Sequence, residues 1–292
     1  MPSQKEIRAR ISSTIGTQQI TKAMKLVSAT KLRKASEAIV KMRPYALKLQ
    51  GIMSNLQESA DDERLAVYFQ NRDVKSVLLV VVTSDRGLCG AFNANVVKRA
   101  KQLLENDYKD LEKKGKVRIL CVGKKGAEGL KRYGYTCDTT FVSNLVDISA
   151  SSAFEFSQYV IDQYLNGACD KVEIVYNQFK NAATQILTND VLLPITKMES
   201  GSSNNNSDYI FEPGKVEILQ DLIPRSLKTH IYRAFLDSLA SEHGARMISM
   251  DKATDNAGEL LRTLKLAYNQ ARQAAITREI SEIVGGVAAL EG

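Results

Sequence analysis

The stretch SDRGLCGAFN, from Ser84 to Asn93, has the residue types and the position best suited to chemistry. It follows a run of β-branched residues and precedes a predicted helix, which is where α/β folds bind phosphate groups. It lacks the GK[ST] ending of a P-loop and the G-x-G-x-x-G spacing of a dinucleotide site. Asp85 and Arg86 are suited to act as an acid and an anion clamp, but the sequence places no second carboxylate or nucleophile with them. We therefore interpret Gly87 and Gly90 as turn residues and expect no catalytic residue and no cofactor.

Four cysteines and two histidines offer little further chemistry. The cysteines are Cys89, Cys121, Cys137 and Cys169. No two of them form a CxxC pair, so neither a zinc knuckle nor a dithiol redox motif is present. A metal centre or a Ser/His/Asp hydrolase would have to depend on His230 or His243 alone. We expect free, mostly buried thiols and no metal ion.

Composition and charge narrow the class of protein. With 292 residues, 44% of them hydrophobic, the chain is too apolar for a disordered protein and allows one or two domains. No apolar run is long enough to span a bilayer, and residues 1–10 are too polar for a secretory signal, so we expect a cytosolic or peripherally attached protein. The first 50 residues hold 11 Lys and Arg against 2 acidic residues, which favours an acidic partner. Nucleic acid is disfavoured as that partner because Tyr45 is the only aromatic residue there and no nucleic-acid-binding motif is present.

Both ends of the chain have the residue spacing of a coiled coil. Apolar residues from Leu32 to Leu56 recur at steps of three and four, and a slipped stripe precedes them, which predicts a helix from about residue 3 to about residue 58, bent at Pro44. A second helix is predicted near the other end of the chain, where Pro224 can open a helix, with a similar seam from Ala253 to Leu290. Neither helix buries its own stripe, so we predict that the two pair as an antiparallel coiled coil. Two separate helices packed on the middle of the chain are the alternative.

Between these helices the hydrophobic period becomes strand-like. Strands are predicted at residues 76–83, 117–122, 136–142, 172–176 and 183–193, and helices at 94–104, 127–133 and 150–165. Their alternation predicts a Rossmann-like, mostly parallel α/β domain, inserted between the helices of the coiled coil. The last strand follows a short turn at Asn181, so it should run antiparallel.

This pattern divides the chain into four segments. Residues 1–60 form the N-terminal helix of the coiled coil, and residues 74–198 form the α/β domain. Residues 199–208 (the polar run ending in SGSSNNNSD) form a flexible loop, and residues 209–292 form the C-terminal helix.

Three motifs in this order are specific to one family. They are the opening ITKAMKLVS at 20–28, the central SDRGLCGAFN, and the closing segments ARM at 245–247, ATDNA at 253–257 and YNQARQAAITRE at 268–279. Together they resemble the gamma subunit of bacterial F-type proton-translocating ATP synthases. The resemblance implies a non-catalytic central stalk whose paired helices enter a hexamer of three alpha and three beta subunits around one gamma. The α/β domain would sit beside epsilon and the c ring.

The resemblance also implies which residues make contacts. It places Arg272, Gln273 and Thr277 against a catch loop on one beta subunit. It directs the N-terminal basic residues and the central loop, represented by Lys22, Met24, Lys25 and Cys89, at an acidic lever of the beta subunits. It assigns the apolar tip of the stalk to Ile283, Val284, Val287 and Leu290. Tyr209, Phe211 and Glu212 would rest on the c ring and epsilon.

In this family the stalk transmits torque between the proton-driven c ring and the catalytic hexamer, so that proton transport is coupled to ATP synthesis and ATPase activity is regulated. The resemblance further implies a peripheral position on the cytoplasmic face of the bacterial plasma membrane, with membrane contact only through the c ring. Two other classes of protein remain open from the residues alone. One is a nucleotide-using α/β enzyme with coiled-coil arms, and the other is a basic coiled coil that grips nucleic acid or an anionic membrane.

Overall fold

The computed structural model describes residues 3–57, 63–69, 72–142, 149–195 and 214–291. Its helices are α1 Gln4–Gln57, α2 Glu63–Phe69, α3 Phe92–Gln102 (continued by a π-helical turn, Leu103–Asp107), α4 Lys109–Lys113, α5 Lys124–Arg132, α6 Ala150–Leu165 and α7 Lys215–Glu291. Its strands are β1 Val77–Val82, β2 Val117–Val122, β3 Lys171–Phe179 and β4 Gln185–Leu193. The chain divides into two compact units, one formed by residues 1–28 with 247–292 and the other by residues 29–246.

The unit formed by residues 29–246 is built on a four-stranded sheet with the order β2-β1-β3-β4. Strand β1 pairs in parallel with both β2 and β3, and Val77 lies opposite Val117 on one side and Lys171 on the other. Strand β4 pairs antiparallel with β3, as its short connection predicts. All six residues of β1 are buried, because helices cover both faces of the sheet.

Alternate residues of β1 belong to two separate apolar clusters. Leu78, Val80 and Val82 pack with α6 and with the first part of α7. Val77, Leu79 and Val81 point to the opposite face and pack with α3 and its π-helical turn. The predicted Rossmann-like, mostly parallel α/β domain between two long terminal helices is therefore confirmed.

The predicted strand at 136–142 is wrong. This segment forms only a single parallel bridge, between Asp138 and Leu120 of β2, and then turns. The carboxylate of Asp138 accepts hydrogen bonds from the backbone nitrogen (3.0 Å) and the hydroxyl (2.6 Å) of Thr140. This local turn competes with continued pairing along the sheet.

The start of the second long helix also differs from the prediction. Helix α7 begins at Lys215 and runs through Pro224, whereas the sequence suggests Pro224 as a residue that can open the helix within the segment 209–292. A proline inside a helix costs about 3 kcal/mol. Leu219 and Ile223, which precede the proline, are fully buried in the apolar cluster of the sheet. Burying two such side chains contributes about 1.5–3 kcal/mol each, which offsets that cost. Helix α1 contains Pro44 and has the predicted extent.

The other unit pairs the start of α1 with the second half of α7. The hydroxyl of Thr254 donates to that of Thr21 at 2.8 Å, and Lys25 forms an ion pair with Asp251. Gly258 faces Gln18 closely, since a Cβ built on it would lie 3.2 Å from the amide nitrogen of Gln18. Residue numbers thus rise along α1 as they fall along α7. The predicted antiparallel pairing is confirmed, and small residues allow the close approach.

Candidate functional site

The loop between β1 and α3 closes on itself through its own polar groups. The amide of Asn93 donates to the hydroxyl of Ser84 at 2.8 Å, and its carbonyl oxygen accepts from the backbone nitrogen of Ser84 at 2.9 Å. The hydroxyl of Ser84 also donates to the carbonyl oxygen of Arg86 at 2.6 Å. Groups that a phosphate-binding loop would direct at a ligand are thus engaged within the loop, which disfavours a nucleotide site here.

Asp85 and Cys89, the two side chains of this loop best suited to chemistry, both have structural partners. A carboxylate oxygen of Asp85 accepts from the backbone nitrogen of Lys124 at 3.0 Å and so caps the start of α5. Cys89 is 2% exposed, and its sulfur lies 3.2 Å from the amide nitrogen of Asn93. Burial raises the pKa of the Cys89 thiol, against the opposing effects of Ser84 and other neighbours. A thiol kept protonated in this way is a poor nucleophile.

Arg246 of α7 binds the backbone of this loop. Its Nε and Nη2 donate to the carbonyl oxygen of Gly87 at 3.2 Å each, and Nη2 also donates to that of Arg86 at 2.9 Å. Its Nη1 donates to a carboxylate oxygen of Glu242 at 2.6 Å and lies 3.4 Å from Nδ1 of His243. These five contacts match the five N–H donors of a guanidinium group.

Burial shifts the pKa values of the ionisable side chains around Arg246. Glu242 and Arg246 are both buried, and burial raises the pKa of Glu242 while Arg246 lowers it. The pKa of His243 is lowered to about 4, first by burial and then by the positive charges of Arg246 and Lys31. His243 is therefore neutral at pH 7, and its Nδ1 accepts a hydrogen bond from Arg246.

The residues predicted to contact the acidic lever are spread over both units. Lys22 is exposed, whereas Met24 and Lys25 are half-buried, and Lys25 is engaged by Asp251 of α7. These three residues belong to the unit of paired helices, and Cys89 belongs to the unit that contains the sheet.

Arg272, Gln273 and Thr277 are all exposed on α7. Gln273 and Thr277, four positions apart, share one face of the helix, and Arg272 lies beside them. Together the three residues present amide, hydroxyl and guanidinium groups to solvent. This arrangement is suited to polar contacts with a partner.

The end of α7 has an exposed apolar surface. Ile283 is 66% exposed, and Val284 and Val287 are also exposed. Nothing is described of the Leu290 side chain. Tyr209, Phe211 and Glu212, together with the predicted loop at 199–208, lie outside the described residues.

A pocket of about 280 Å³ lies against α1, the end of β3 and α7. Its polar lining residues are Arg43, Gln178, Arg233 and Asp237. Asp237 is buried, and burial raises its pKa to about 6, against the opposing effects of Arg233 and Arg43. With two arginines and one carboxyl group, the pocket is a structural charge cluster rather than an acid–base pair.

Comparison with known proteins assigns the chain to a family. A family model described as ATP synthase matches residues 3–290. The ATP synthase gamma chain of Cytophaga hutchinsonii is 52% identical over 293 residues, which cover 99% of both chains. The chain belongs to the ATP synthase gamma family.

Solved structures of ATP synthases share the fold of this family member. One is a chain from the central stalk and c-ring of the Tetrahymena thermophila mitochondrial ATP synthase, with 27% identity and a TM-score of 0.58 over 80% of this chain and 99% of that one. Another, from the Euglena gracilis mitochondrial ATP synthase, has 21% identity and a TM-score of 0.67 over 98% and 94% of the two chains. This chain thus shares its fold with a chain of an ATP synthase central stalk.

Among the described residues, no helix is long and apolar enough to cross a membrane, and no group of three or more His, Cys, Asp or Glu side chains is placed to hold a metal ion. The four cysteines are free, and all but the half-buried Cys137 are buried, as predicted.

The sequence did not indicate a role for Arg246. It lies 159 positions from Gly87 along the chain, so no local spacing connects the two residues. A weaker signal was present, because Glu242, His243 and Arg246 are charged or polar residues at helical spacing in a stretch of α7 that is otherwise mostly apolar or small. Such residues on a buried helix face usually bind something within the fold.

Proposed function

We propose that this chain is the rotor shaft of an F-type ATP synthase. In this function it transmits torque between a proton-driven c ring and a catalytic hexamer of alpha and beta subunits, and it regulates ATPase activity. The chain itself is non-catalytic and binds no cofactor. It contacts the membrane only through the c ring and works at the cytoplasmic face of the bacterial plasma membrane.

The exposed end of α7 is the observation that carries this proposal. In the pairing of the two helices, Gln18 lies opposite Gly258, so the first residue of α1, Gln4, comes opposite about residue 272. Helix α7 continues to Glu291. The part of α7 beyond about residue 272 therefore has no α1 residue opposite it and carries exposed Ile276, Ile280 and Ile283. An apolar surface of this kind requires a partner that covers it.

The residues at and just before the tip of α7 support a partner that surrounds the helix, a sleeve of hexamer side chains. Ile283, Val284, Val287 and Leu290 would form the bearing at the tip. Arg272, Gln273 and Thr277, just before the tip, would make the polar contacts with one beta subunit. Apolar side chains without charge can slide against a sleeve, whereas hydrogen bonds such as those of Arg272 favour particular orientations.

The asymmetry of a single shaft provides the coupling. One helix pair cannot contact three beta subunits equally, so each orientation stabilises a different state at each of three sites. Shifting a two-state site from 1:99 to 99:1 takes roughly 5.5 kcal/mol of differential contact energy, which a few charged contacts and a packed seam can supply. Lys22, Met24 and Lys25 would add contacts with the acidic lever, consistent with the excess of 11 Lys and Arg over 2 acidic residues in the first 50 positions. Tyr209, Phe211 and Glu212 would join the shaft to epsilon and the c ring.

Co-expression with alpha and beta subunits tests this proposal. We expect native mass spectrometry of the purified product to show three alpha, three beta and one copy of this chain. As a matched control, a chain shortened at residue 271 keeps the paired part of α7 but lacks the exposed end, and it should assemble less completely. A folded full-length chain that does not associate with the hexamer would refute the proposed function.

A further inference from the structure

Leu88 stands out in the loop between β1 and α3 because its backbone and its side chain are both unfavourably placed. Its φ is 63°, and among the residues that the structure describes it is the only non-glycine residue with positive φ. Its side chain is nevertheless 62% exposed. The left-handed conformation is sterically costly for a leucine, and an exposed leucine gains nothing from burial.

The rest of the loop holds Leu88 in this conformation. Arg246 binds the carbonyl oxygens of the two preceding residues, Arg86 and Gly87, with three hydrogen bonds of 2.9–3.2 Å. The next residue, Cys89, is buried beside Ser84 and Asn93. Leu88 therefore protrudes between two anchored positions. Strained residues persist only where the surrounding structure fixes them, and they are typical of functional sites.

Contacts within α7 fix the orientation of the Arg246 side chain that binds the loop. Glu242, four positions earlier on α7, and His243, three positions earlier, both contact its Nη1. Its side chain is buried, and all five of its N–H donors have acceptors. Lysine carries the same charge but lacks the planar fork that joins two carbonyl groups on one side to a carboxylate on the other.

We propose that Leu88 is a contact side chain that inserts into an apolar recess on a beta subunit, and that Arg246 is the positioning residue that holds Leu88 in place. This inference rests on the proposed function, which supplies the partner. Arg86, two positions before Leu88, is exposed, so we expect a carboxylate on the partner at the edge of the recess. Cys89, which the resemblance assigns to the same contact, acts as the buried anchor of the loop.

The contact is tested with Leu88→Gly and Leu88→Met in the assembled complex. Glycine relieves the left-handed backbone and removes the side chain, so the unfolding temperature of the free chain should stay the same or rise while ATP turnover of the complex falls about tenfold. Methionine conserves the apolar volume and should keep turnover within about twofold of the wild type. The control is Leu165→Ala, an exposed leucine at the end of α6, which should leave turnover unchanged. Wild-type turnover in Leu88→Gly would overturn the contact.

The positioning role is tested with Arg246→Lys in the free chain and in the complex. The amide of Ser84 donates to Asn93 within the loop, and the amide of Phe92 donates to the carbonyl oxygen of Cys89. We expect hydrogen exchange at these two amides to accelerate about tenfold in the free chain, and turnover to fall as far as in Leu88→Gly. The double variant Leu88→Gly with Arg246→Lys should be no slower than either single variant, because the contact is already lost. Multiplicative losses, or unchanged exchange, would refute the positioning role.

Two further outcomes are separated by this design. If the wild-type chain does not assemble with the hexamer, the proposed function fails, and the Leu88 contact fails with it. If the wild type assembles and Leu88→Gly keeps full turnover, only the inference fails. Should Arg246→Lys not fold, the double variant Arg246→Met with Glu242→Gln, which removes both charges of the buried pair together, gives the same exchange measurement.

Discussion

At the scale of single residues, buried charged groups in this chain hold backbone in place. Arg246 binds the carbonyl oxygens of Arg86 and Gly87, and its own charge is balanced by Glu242. Glu173 of β3 is buried as well; it forms an ion pair with Lys171 and accepts a hydrogen bond from Tyr108 at 2.6 Å. Because removing two charges from water is costly, such pairs rarely add much net stability, but breaking one leaves an uncompensated buried charge. They fix geometry rather than supply the energy of folding.

The exposed polar residues of α7 carry the first prediction. We expect the double change Arg272→Ala with Gln273→Ala to lower ATP turnover of the assembled complex at least about fivefold, since interface arginines often contribute more than 1 kcal/mol. The chain should fold normally because both side chains are exposed. Steady-state ATP hydrolysis measures the effect, with exposed Arg262→Ala on the same helix as the control. Unchanged turnover and coupling would remove these two residues from the mechanism.

Asp237 carries a prediction about pH. Its pKa is raised to about 6 in the folded chain, mainly by burial, from an ordinary value near 4. Between these two pH values the folded chain retains a proton that the unfolded chain releases, so the contribution of Asp237 to the free energy of unfolding falls as pH rises from 4 to 6. The amide in Asp237→Asn does not ionise. The variant should therefore gain on the order of 2 kcal/mol relative to the wild type between pH 4 and pH 7.

Urea unfolding of wild type and variant across this range gives the difference directly, and effects of other titrating groups cancel in it. Asp221→Asn, which changes an exposed carboxylate on the same helix, reports the effect of the substitution itself. A difference between wild type and Asp237→Asn that stays constant with pH would contradict the assignment.

At the scale of elements, the junction between β2 and α5 is a tightly constrained turn. Gly123 has a φ of 103°, and a Cβ built on it would lie 2.0 Å from the carbonyl oxygen of Thr83. Thr83 in turn accepts a hydrogen bond from the backbone nitrogen of Gly126 at 2.8 Å. The first turn of α5 is thus fixed against the end of β1, and only glycine fits at its start.

Gly123 and Gly134 both have positive φ, but only Gly123 is crowded. Comparing alanine substitutions at the two positions therefore separates the cost of crowding from the cost of the backbone conformation. Gly134 has a φ of 89°, but a Cβ there would meet nothing within 4 Å. We expect Gly134→Ala to cost about 1 kcal/mol, which is the conformational term alone. Gly123→Ala should cost at least about 3 kcal/mol because the backbone must also move. Thermal and urea unfolding measure both values, and equal losses would show that the close packing of Gly123 on Thr83 is not maintained in solution.

Sequence pattern predicted elements well wherever one local signal dominates. The β-branched run at 76–83 and the coiled-coil spacing at the two ends gave the sheet and the paired helices. The prediction was wrong at 136–142, where the side chain of Asp138 ends the pairing, and at Pro224, where burial of Leu219 and Ile223 outweighs the proline. The contact of Arg246 with the loop after β1 joins segments about 160 positions apart, so no local pattern contained it.

At the scale of the whole molecule, charge and apolar surface are unevenly distributed along the chain. The net charge is +7, and the excess of basic residues lies in the first 50 residues. The exposed apolar residues of the last part of α7, such as Ile276, Ile280 and Ile283, lie at the opposite end of the sequence. In the proposed function these are two contact surfaces for one hexamer. One is electrostatic and sensitive to salt, and the other is apolar and insensitive to it.

The central claim is that this chain turns relative to the hexamer during ATP hydrolysis, and single-molecule rotation tests it most directly. The hexamer would be fixed to a surface through its beta subunits, with a bead attached to this chain at Lys109→Cys, an exposed position on α4. With ATP, we predict rotation in one direction with pauses about 120° apart, since three equivalent beta subunits define three orientations. ATP hydrolysis by a complex in which the bead keeps a fixed orientation would contradict the rotor function.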